Sequence, residues 1–219
     1  MGYSKDNVSR ITALVSEIQG RKEHERAAAT YRDVPALKEI EGIVMDNLAR
    51  YSDKDTLTDS IAALRFLAEA YRGMGRMALC ATFYGEILEL ATVLKGTYKV
   101  KTEDISDIFY SALRARNYYV DDDCDDLVKN AVTLMPEEAV YSMLEERRAR
   151  RRTLRSDPVE MTDEYLRVID EVEEKIDATR KTFGHGSCYE VWMLKREYLA
   201  ERGIKWSSPA ELNPKFRFD

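Results

Sequence analysis

Residues 61–90 read IAALRFLAEAYRGMGRMALCATFYGEILEL, and this stretch decides the fold. Its first part has apolar residues at the i, i+3, i+4 and i+7 spacing of an amphipathic helix. They are Ile61, Leu64, Leu67, Ala68 and Tyr71. Gly73 and Gly75 follow, and glycine ends helices at low conformational cost. The helical spacing then returns in Met77, Cys80, Tyr84, Ile87 and Leu88. The stretch therefore predicts two antiparallel helices joined by a tight turn.

The hairpin resembles one unit of the tetratricopeptide repeat (TPR) family, over residues 61–94. The resemblance rests on small residues where two helices cross, aromatic residues beside them and a glycine at the turn. These residues are Ala68, Tyr71, Gly75, Cys80, Tyr84 and Leu88. Ile87 stands where the family has a small residue, and the family's terminal proline is missing.

A second and more degenerate unit can be aligned with residues 105–136. It matches the family pattern at Ile108, Ala112, Cys124, Ala131 and Pro136. Ala115 replaces the expected aromatic residue, no glycine marks the turn, and residues 95–101 form an insertion between the two units. The resemblance implies a right-handed superhelix of helical hairpins with irregular repeats.

The rest of the chain also predicts helices. It has only 10 glycines and 5 prolines in 219 residues, which favours helices over many β-turns. We expect an all-α fold: an irregular TPR-like α-α superhelix of about eight or nine helices. An ordinary helical bundle is the alternative. One helical-repeat domain is expected over residues 1–203, followed by a tail over residues 204–219.

Local signals predict where individual helices begin and end. Gly20 should end the first helix. A long helix over residues 163–183 should place Phe183 on its inward side. Ser187 and Glu190 have the spacing of a capping box.

The C-terminal tail differs in composition from the helices before it. Gly203 should stop the last helix, with Ile204 in the apolar contact of a Schellman cap. Trp206, Phe216 and Phe218 make the tail a poor match for disorder. We expect it to be extended and docked on the chain's own helices or on a second copy. Any self-association should use this tail or the helix over residues 163–183.

Composition limits the expected location and the expected binding partners of the protein. A net charge of −6 gives no general attraction to nucleic acid or to anionic membranes. No apolar run approaches the length of about 20 residues that spans a bilayer, and no secretory signal is visible. The three cysteines are far apart, with no C-x-x-C pair, which argues against a disulfide framework or a zinc cluster. We expect a cytoplasmic protein without membrane attachment.

The TPR resemblance also implies a groove lined by the first helix of each unit. Arg65, Glu69 and Arg72 would line it from the first unit. The second unit would add Phe109, Leu113, Arg116 and Asn117. The family binds short peptides in such a groove, often through basic residues that hold a carboxylate. The lysine and asparagine arrangement of its carboxylate-clamp subtype is missing here. A solvated helix face without ligand is the alternative.

Six arginines lie within the nine residues 147–155 and could contact phosphates of RNA or another polyanion. They are Arg147, Arg148, Arg150, Arg151, Arg152 and Arg155. A solvated helix end accounts for the cluster better, because no stacking aromatics are interleaved and Glu145 and Glu146 lie at pairing distance.

Metal and catalytic motifs are missing from the sequence. The aspartate-rich run 121–126 lacks the glycine and glutamate of an EF-hand loop, and an acidic first helical turn explains it better. His24 and His185, the two histidines, have no nucleophile or second ligand nearby in sequence. There is no phosphate-binding loop and no G-x-S-x-G motif. We expect no metal and no cofactor.

The sequence therefore favours a non-enzymatic module that binds a protein or peptide segment. Binding of RNA or another polyanion through the arginine cluster is the second hypothesis. An enzyme with an unrecognised site is the third.

Overall fold

The computed structural model describes residues 3–25, 29–98, 105–116, 124–149, 154–184 and 186–218. The side chains of residues 22–25 and 147–149 are not part of that description. The described residues form α-helices and two short 3-10 turns, with no β-strand among them. The protein is all-α, as the sequence predicts.

The chain forms two compact units, whereas the sequence predicts one domain over residues 1–203. Unit 1 comprises Met1–Arg116 and Asp122–Arg151, and unit 2 comprises Asn117–Asp121 and Arg152–Asp219. The boundary follows the run 145–152, which has no large apolar residue and so offers nothing for a shared core to bury.

Unit 1 contains seven described α-helices. They are α1 (Lys5–Glu25), α2 (Val34–Arg50), α3 (Lys54–Gly73), α4 (Met77–Tyr98), α5 (Ile105–Arg116), α6 (Asp125–Leu134) and α7 (Glu137–Ala149). The predicted end at Gly20 is wrong, because α1 continues through it. A single glycine inside a helix costs only about 1 kcal/mol relative to alanine.

The hairpin of α3 and α4 is the centre of unit 1. Asp53 caps α3 by accepting a hydrogen bond from the Thr56 amide (3.2 Å). Gly75 adopts φ +75° in the turn, a left-handed conformation that glycine tolerates without a Cβ clash. Beyond the turn, the rings of Tyr71 and Phe83 stack with their centroids 5.7 Å apart. The predicted helical hairpin is therefore present; its membership of a TPR array stays a prediction.

Helix α4 packs against α3, α5 and α6. An 18-residue window within its 22 residues has a mean hydropathy of 1.5, enough by length and composition alone to cross a membrane. In the structure 56% of that window is buried inside the protein. A central core helix that meets neighbours on several sides has this composition.

Unit 2 is built on α8 (Asp163–Thr179) and α9 (Ser187–Ala200), with the one-turn helix α10 (Pro209–Leu212) in the tail. Its core joins apolar residues of both long helices to Ile204 and Trp206. The Oγ1 atom of Thr162 caps α8 by accepting from the Tyr165 amide (3.3 Å).

The prediction that one helix extends over residues 163–183 is wrong at its C-terminal end. Helix α8 ends at Thr179, Arg180 is extended, and Phe183 is 68% exposed rather than inward. The Glu190 carboxylate accepts from the backbone amides of Lys181 (2.9 Å) and Thr182 (2.7 Å). These bonds fix a non-helical segment between the two helices.

The same contacts overturn the predicted capping box. Gly186, not Ser187, occupies the N-cap of α9 and makes no side-chain cap bond. The Ser187 hydroxyl donates to the Gly184 carbonyl (2.7 Å). Because Glu190 is already bound to the segment after α8, it does not serve the start of its own helix.

The structure bears out the Schellman cap after α9. The Ile204 amide donates to the Leu199 carbonyl and the Gly203 amide to the Ala200 carbonyl, both at 2.9 Å. Gly203 has φ +75°, which the motif requires. The cap turns the chain so that the tail runs back over unit 2.

The tail packs on residues of unit 2. Trp206 is buried, and its Nε1 atom donates to Oε1 of Glu160 (2.8 Å). Asn213 accepts from the Arg155 amide and donates to the Arg155 carbonyl, both at 2.8 Å. The tail is therefore held by the burial of Trp206 and by the two hydrogen bonds between the Asn213 side chain and the Arg155 backbone. Part of the tail forms the helical turn α10.

Candidate interaction surface

The apolar residues of the predicted groove are core residues. Phe109 is fully buried and Leu113 nearly so, on the side of α5 that packs against α4. A peptide cannot reach either side chain without opening that packing. Their placement on an open concave face is therefore wrong.

The predicted groove cations already have partners inside unit 1. Arg72 forms an ion pair with Glu69 at i, i+3 on α3. Arg116 binds Asp126 of α6, with its Nη1 atom 2.6 Å and 2.8 Å from the two carboxylate oxygens. Arg65 is exposed, and Asn117 lies outside the described residues. The seven predicted groove residues thus do not assemble into one accessible site.

Glu69 also links the hairpin internally, because its carboxylate accepts a hydrogen bond from the Tyr84 hydroxyl. Burial, followed by this bond to Glu69, raises the pKa of Tyr84. Burial, with the nearby Glu69 charge, raises the pKa of Cys80 to about 12. The thiol therefore stays protonated at neutral pH and is a core residue, not a nucleophile.

The arginine cluster falls mainly outside the described side chains. Arg147 and Arg148 belong to α7, and Arg150, Arg151 and Arg152 lie outside the described residues. Arg155 is exposed, and its backbone is bound to Asn213. Polyanion binding through this cluster stays a prediction.

The described residues contain no group of three or more histidine, cysteine, aspartate or glutamate side chains arranged to hold a metal ion. Asp125 and Asp126 lie in the first turn of α6, as the dipole argument predicts. Asp121 to Asp123, His185 and the side chain of His24 lie outside the description.

Helix α9 of unit 2 has exposed apolar side chains one helical turn apart. Tyr189 is 54% exposed and Met193, one helical turn later, is 58% exposed. Leu194 and Tyr198, on the other side of α9, belong to the buried cluster. Helix α9 therefore has two apolar sides, and the α8 contact covers only one of them.

The tail extends the exposed side of α9. The ring of Trp192 meets those of Tyr189 and Phe218 edge to face, with centroids 5.4 Å and 5.1 Å apart. The Tyr189 hydroxyl donates to the Phe218 carbonyl (3.2 Å). Phe216 is 43% exposed, two residues before Phe218. We name the surface of Tyr189, Trp192, Met193 and Phe218 the α9 aromatic face; Phe216 is an exposed ring next to it in sequence.

The charges next to the α9 aromatic face are mainly positive. Lys215 and Arg217 flank Phe216, are exposed and form no ion pair with any described residue. Two acids adjoin the face in sequence: Glu190, which is bound to the amides before α9, and Asp219, which lies outside the described residues. Glu197 is an exposed carboxylate one turn beyond Met193. Among the described residues, the tail side of the face is thus basic, and the far end of α9 has an acid.

Sequence reasoning did not identify this face. Tyr189 and Met193 stand at i and i+4, off the stripe formed by Val191, Leu194 and Tyr198. The sequence did contain a signal for the face, namely this second apolar stripe. A helix that is apolar on two sides needs a packing partner on each side.

Comparison of the chain with protein-family models, with curated proteins and with solved structures finds no significant match.

Proposed function

We propose that the protein is a non-enzymatic interaction module whose α9 aromatic face binds an acidic protein segment that has large apolar side chains. The observation that supports this most is the exposed stripe of Tyr189 and Met193 on a helix whose opposite side is already packed. The proposal keeps the partner class that the sequence suggests. It moves the surface from α3 and α5 to unit 2.

The composition of the face suits a protein partner. Aromatic residues and methionine are enriched in the central part of protein interfaces. Contiguous exposed apolar surface marks interaction sites more often than single exposed residues do. Met193 can also adapt its unbranched side chain to partners of different shape.

The geometry of the face lowers the entropic cost of binding. Trp192 lies between two aromatic rings, and the Tyr189 hydroxyl is held by the Phe218 carbonyl. Side chains fixed before association lose less rotamer freedom when a partner arrives.

The charges favour an acidic partner. Lys215 and Arg217 lack ion-pair partners in the described structure, so a ligand carboxylate would not displace an internal one. Opposite charge at the rim of an apolar contact mainly raises the association rate and the selectivity. Glu197 would disfavour an acidic residue near the C-terminal end of α9.

A displayed library of random peptides, selected on the purified wild-type chain, tests the proposal. We expect enriched sequences to combine acidic residues with large apolar anchors. Fluorescence polarisation of the best peptide should show an affinity roughly tenfold or more lower for Tyr189→Ala/Met193→Ala, as is usual when interface anchors are truncated.

Met161→Ala is the matched control, because Met161 is 42% exposed, lies in unit 2 and is not part of the α9 aromatic face. Its affinity should equal that of the wild type. Lys215→Glu/Arg217→Glu should weaken binding most at low salt. Enrichment without acidic bias, no enrichment, or equal affinity for the α9 double variant would each refute the proposal.

A further inference from the structure

Unit 1 contains a cavity of about 530 Å³ between the start of α1 and the last turns of α2. The volume lies in the range of about 300–1,000 Å³ that small-molecule sites occupy. It is lined from the α1 side by Tyr3 and Asn7, and from α2 by Asp46, Asn47, Arg50 and Tyr51. Neither the α9 aromatic face nor the predicted groove includes these residues.

Two opposite charges at the cavity are left without partners among the described residues. Asp46 and Arg50 stand at i and i+4 on α2, a spacing that commonly supports an ion pair. Both are exposed, and neither forms an ion pair with any residue that the structure describes. The cavity therefore offers one free carboxylate and one free guanidinium about one helical turn apart.

A buried polar side chain adds a third group. Asn47 is only 4% exposed, and its Nδ2 atom donates to the Ile43 carbonyl (2.6 Å). That bond occupies the Nδ2 donor, so the Oδ1 atom is the acceptor that the amide offers to a ligand in the cavity.

The helix ends add partial charges of both signs beside the cavity. Helix α1 begins at Lys5, beside the cavity, and its N-terminal end carries partial positive charge. Helix α2 ends at Arg50, so its last turn presents partial negative charge. Each end acts on the cavity together with the free charged side chains, and the cavity does not depend on either end alone.

Tyrosines complete the lining. The Tyr3 hydroxyl is hydrogen-bonded to the Ser60 hydroxyl (2.9 Å), which holds its ring in place on the α1 side. Burial raises the pKa of Tyr3, so the phenol stays neutral. Tyr51 is 42% exposed at the end of α2. Two aromatic rings near a charged pair provide an apolar contact for a small side chain.

We propose that this cavity binds a small zwitterion with the head group of an α-amino acid. Its ammonium would bind Asp46 and donate to the Oδ1 atom of Asn47. Its carboxylate would bind the Arg50 guanidinium in a charge-assisted contact. The tyrosine rings and Ile43 would receive its side chain.

Isothermal titration of the purified full chain with proteinogenic amino acids, screened first by saturation-transfer NMR, tests the assignment. We expect one or a few amino acids to bind. The matching compounds that lack the amine or the carboxylate should bind at least tenfold more weakly. Simple dipeptides serve as a second arm, since their two charges lie farther apart.

Asp46→Asn and Arg50→Met should each lower the affinity at least tenfold. Both side chains are exposed, so folding, checked by circular dichroism, should be unchanged. Asp107→Asn is the control, an exposed carboxylate on α5 that does not line the cavity. Stronger dipeptide binding would replace the amino-acid assignment with a peptide one. No binding at millimolar concentration, equal binding of the amine-free acid, or wild-type affinity in both variants would overturn the proposal.

Discussion

The two units treat their aromatic residues differently. In unit 1 four rings of the central hairpin and α5 are almost completely buried: Tyr71, Phe83, Tyr84 and Phe109. Its exposed tyrosines lie on separate helices, as single exposed residues commonly do. Unit 2 buries Trp206 but leaves Phe183, Tyr189 and Phe216 exposed. The difference is that the exposed rings of unit 1 are scattered, whereas unit 2 leaves exposed the apolar side chains that the proposed partner would contact.

The largest effect is expected from truncating a buried aromatic residue of unit 2, which should cost far more stability than truncating an exposed one. Trp206→Ala removes a buried ring, its hydrogen bond to Glu160 and its contact with the Lys195 ammonium (4.6 Å from the ring centroid). We expect the free energy of unfolding to fall by about 4 kcal/mol, within the range for buried tryptophan truncation. Hydrogen exchange should accelerate in α8 and α9 and stay unchanged in α3 and α4.

Phe216→Ala is the control for this variant, because Phe216 is a tail aromatic that remains 43% exposed. Its cost should stay below about 1 kcal/mol. A cost equal to that of Trp206→Ala would mean that the exposed ring is structural, and the comparison between packed and outward aromatics would fail.

The core of unit 1 has one electrostatic defect, at Glu86 of α4. Burial, followed by the charges of Glu41 and Glu89, raises the pKa of Glu86 to about 7. Its Oε2 atom is buried without a hydrogen-bond partner among the described residues. The folded protein therefore binds more protons than the unfolded chain between about pH 4.5 and pH 7. Stability falls as the pH rises through that window and levels off above it.

Glu86→Gln should remove this pH dependence. At pH 8 we expect the variant to be about 1 kcal/mol more stable than wild type, a value reduced from the full shift because the side chain is only half-buried. At pH 5 the two proteins should differ little. Urea unfolding at both pH values measures this, with the exposed Glu138→Gln of α7 as control. A stabilisation that is the same at both pH values would exclude titration of Glu86 as the cause.

Local sequence signals predicted much of the backbone, because they act within a few residues. The α3–α4 hairpin follows from apolar spacing and Gly75, and the Schellman cap follows from Gly203 and Ile204. Glu190 shows the limit. Its spacing from Ser187 fits a capping box, but tertiary contact gives the carboxylate two amides of the preceding segment.

The candidate sites were less predictable, since they depend on which side of a helix is covered. Phe109 and Leu113 fit a groove only in the register that the TPR resemblance suggests, and packing of α5 on α4 buries them. Tyr189 and Met193 look like core residues in a helix that is apolar on two sides. Asp46 and Arg50 look like an ordinary solvated pair until the approach of α1 closes a cavity beside them.

The smallest expected effects compare two glycines, one in each unit. Gly203 has φ +75° in the Schellman cap, so Gly203→Ala should cost about 1 kcal/mol through the Cβ of a left-handed residue. Gly42 lies inside α2, and a Cβ added there would meet no atom of a neighbouring element within 4 Å. Gly42→Ala should therefore stabilise the protein by about 0.5–1 kcal/mol.

Thermal unfolding of both variants beside wild type measures the two effects. The two substitutions should shift the melting temperature in opposite directions. The helix interior at Gly42 favours alanine, whereas the cap at Gly203 favours glycine. If Gly203→Ala left the melting temperature unchanged, the cap would not hold the tail, and the position of Phe218 beside α9 would need another cause.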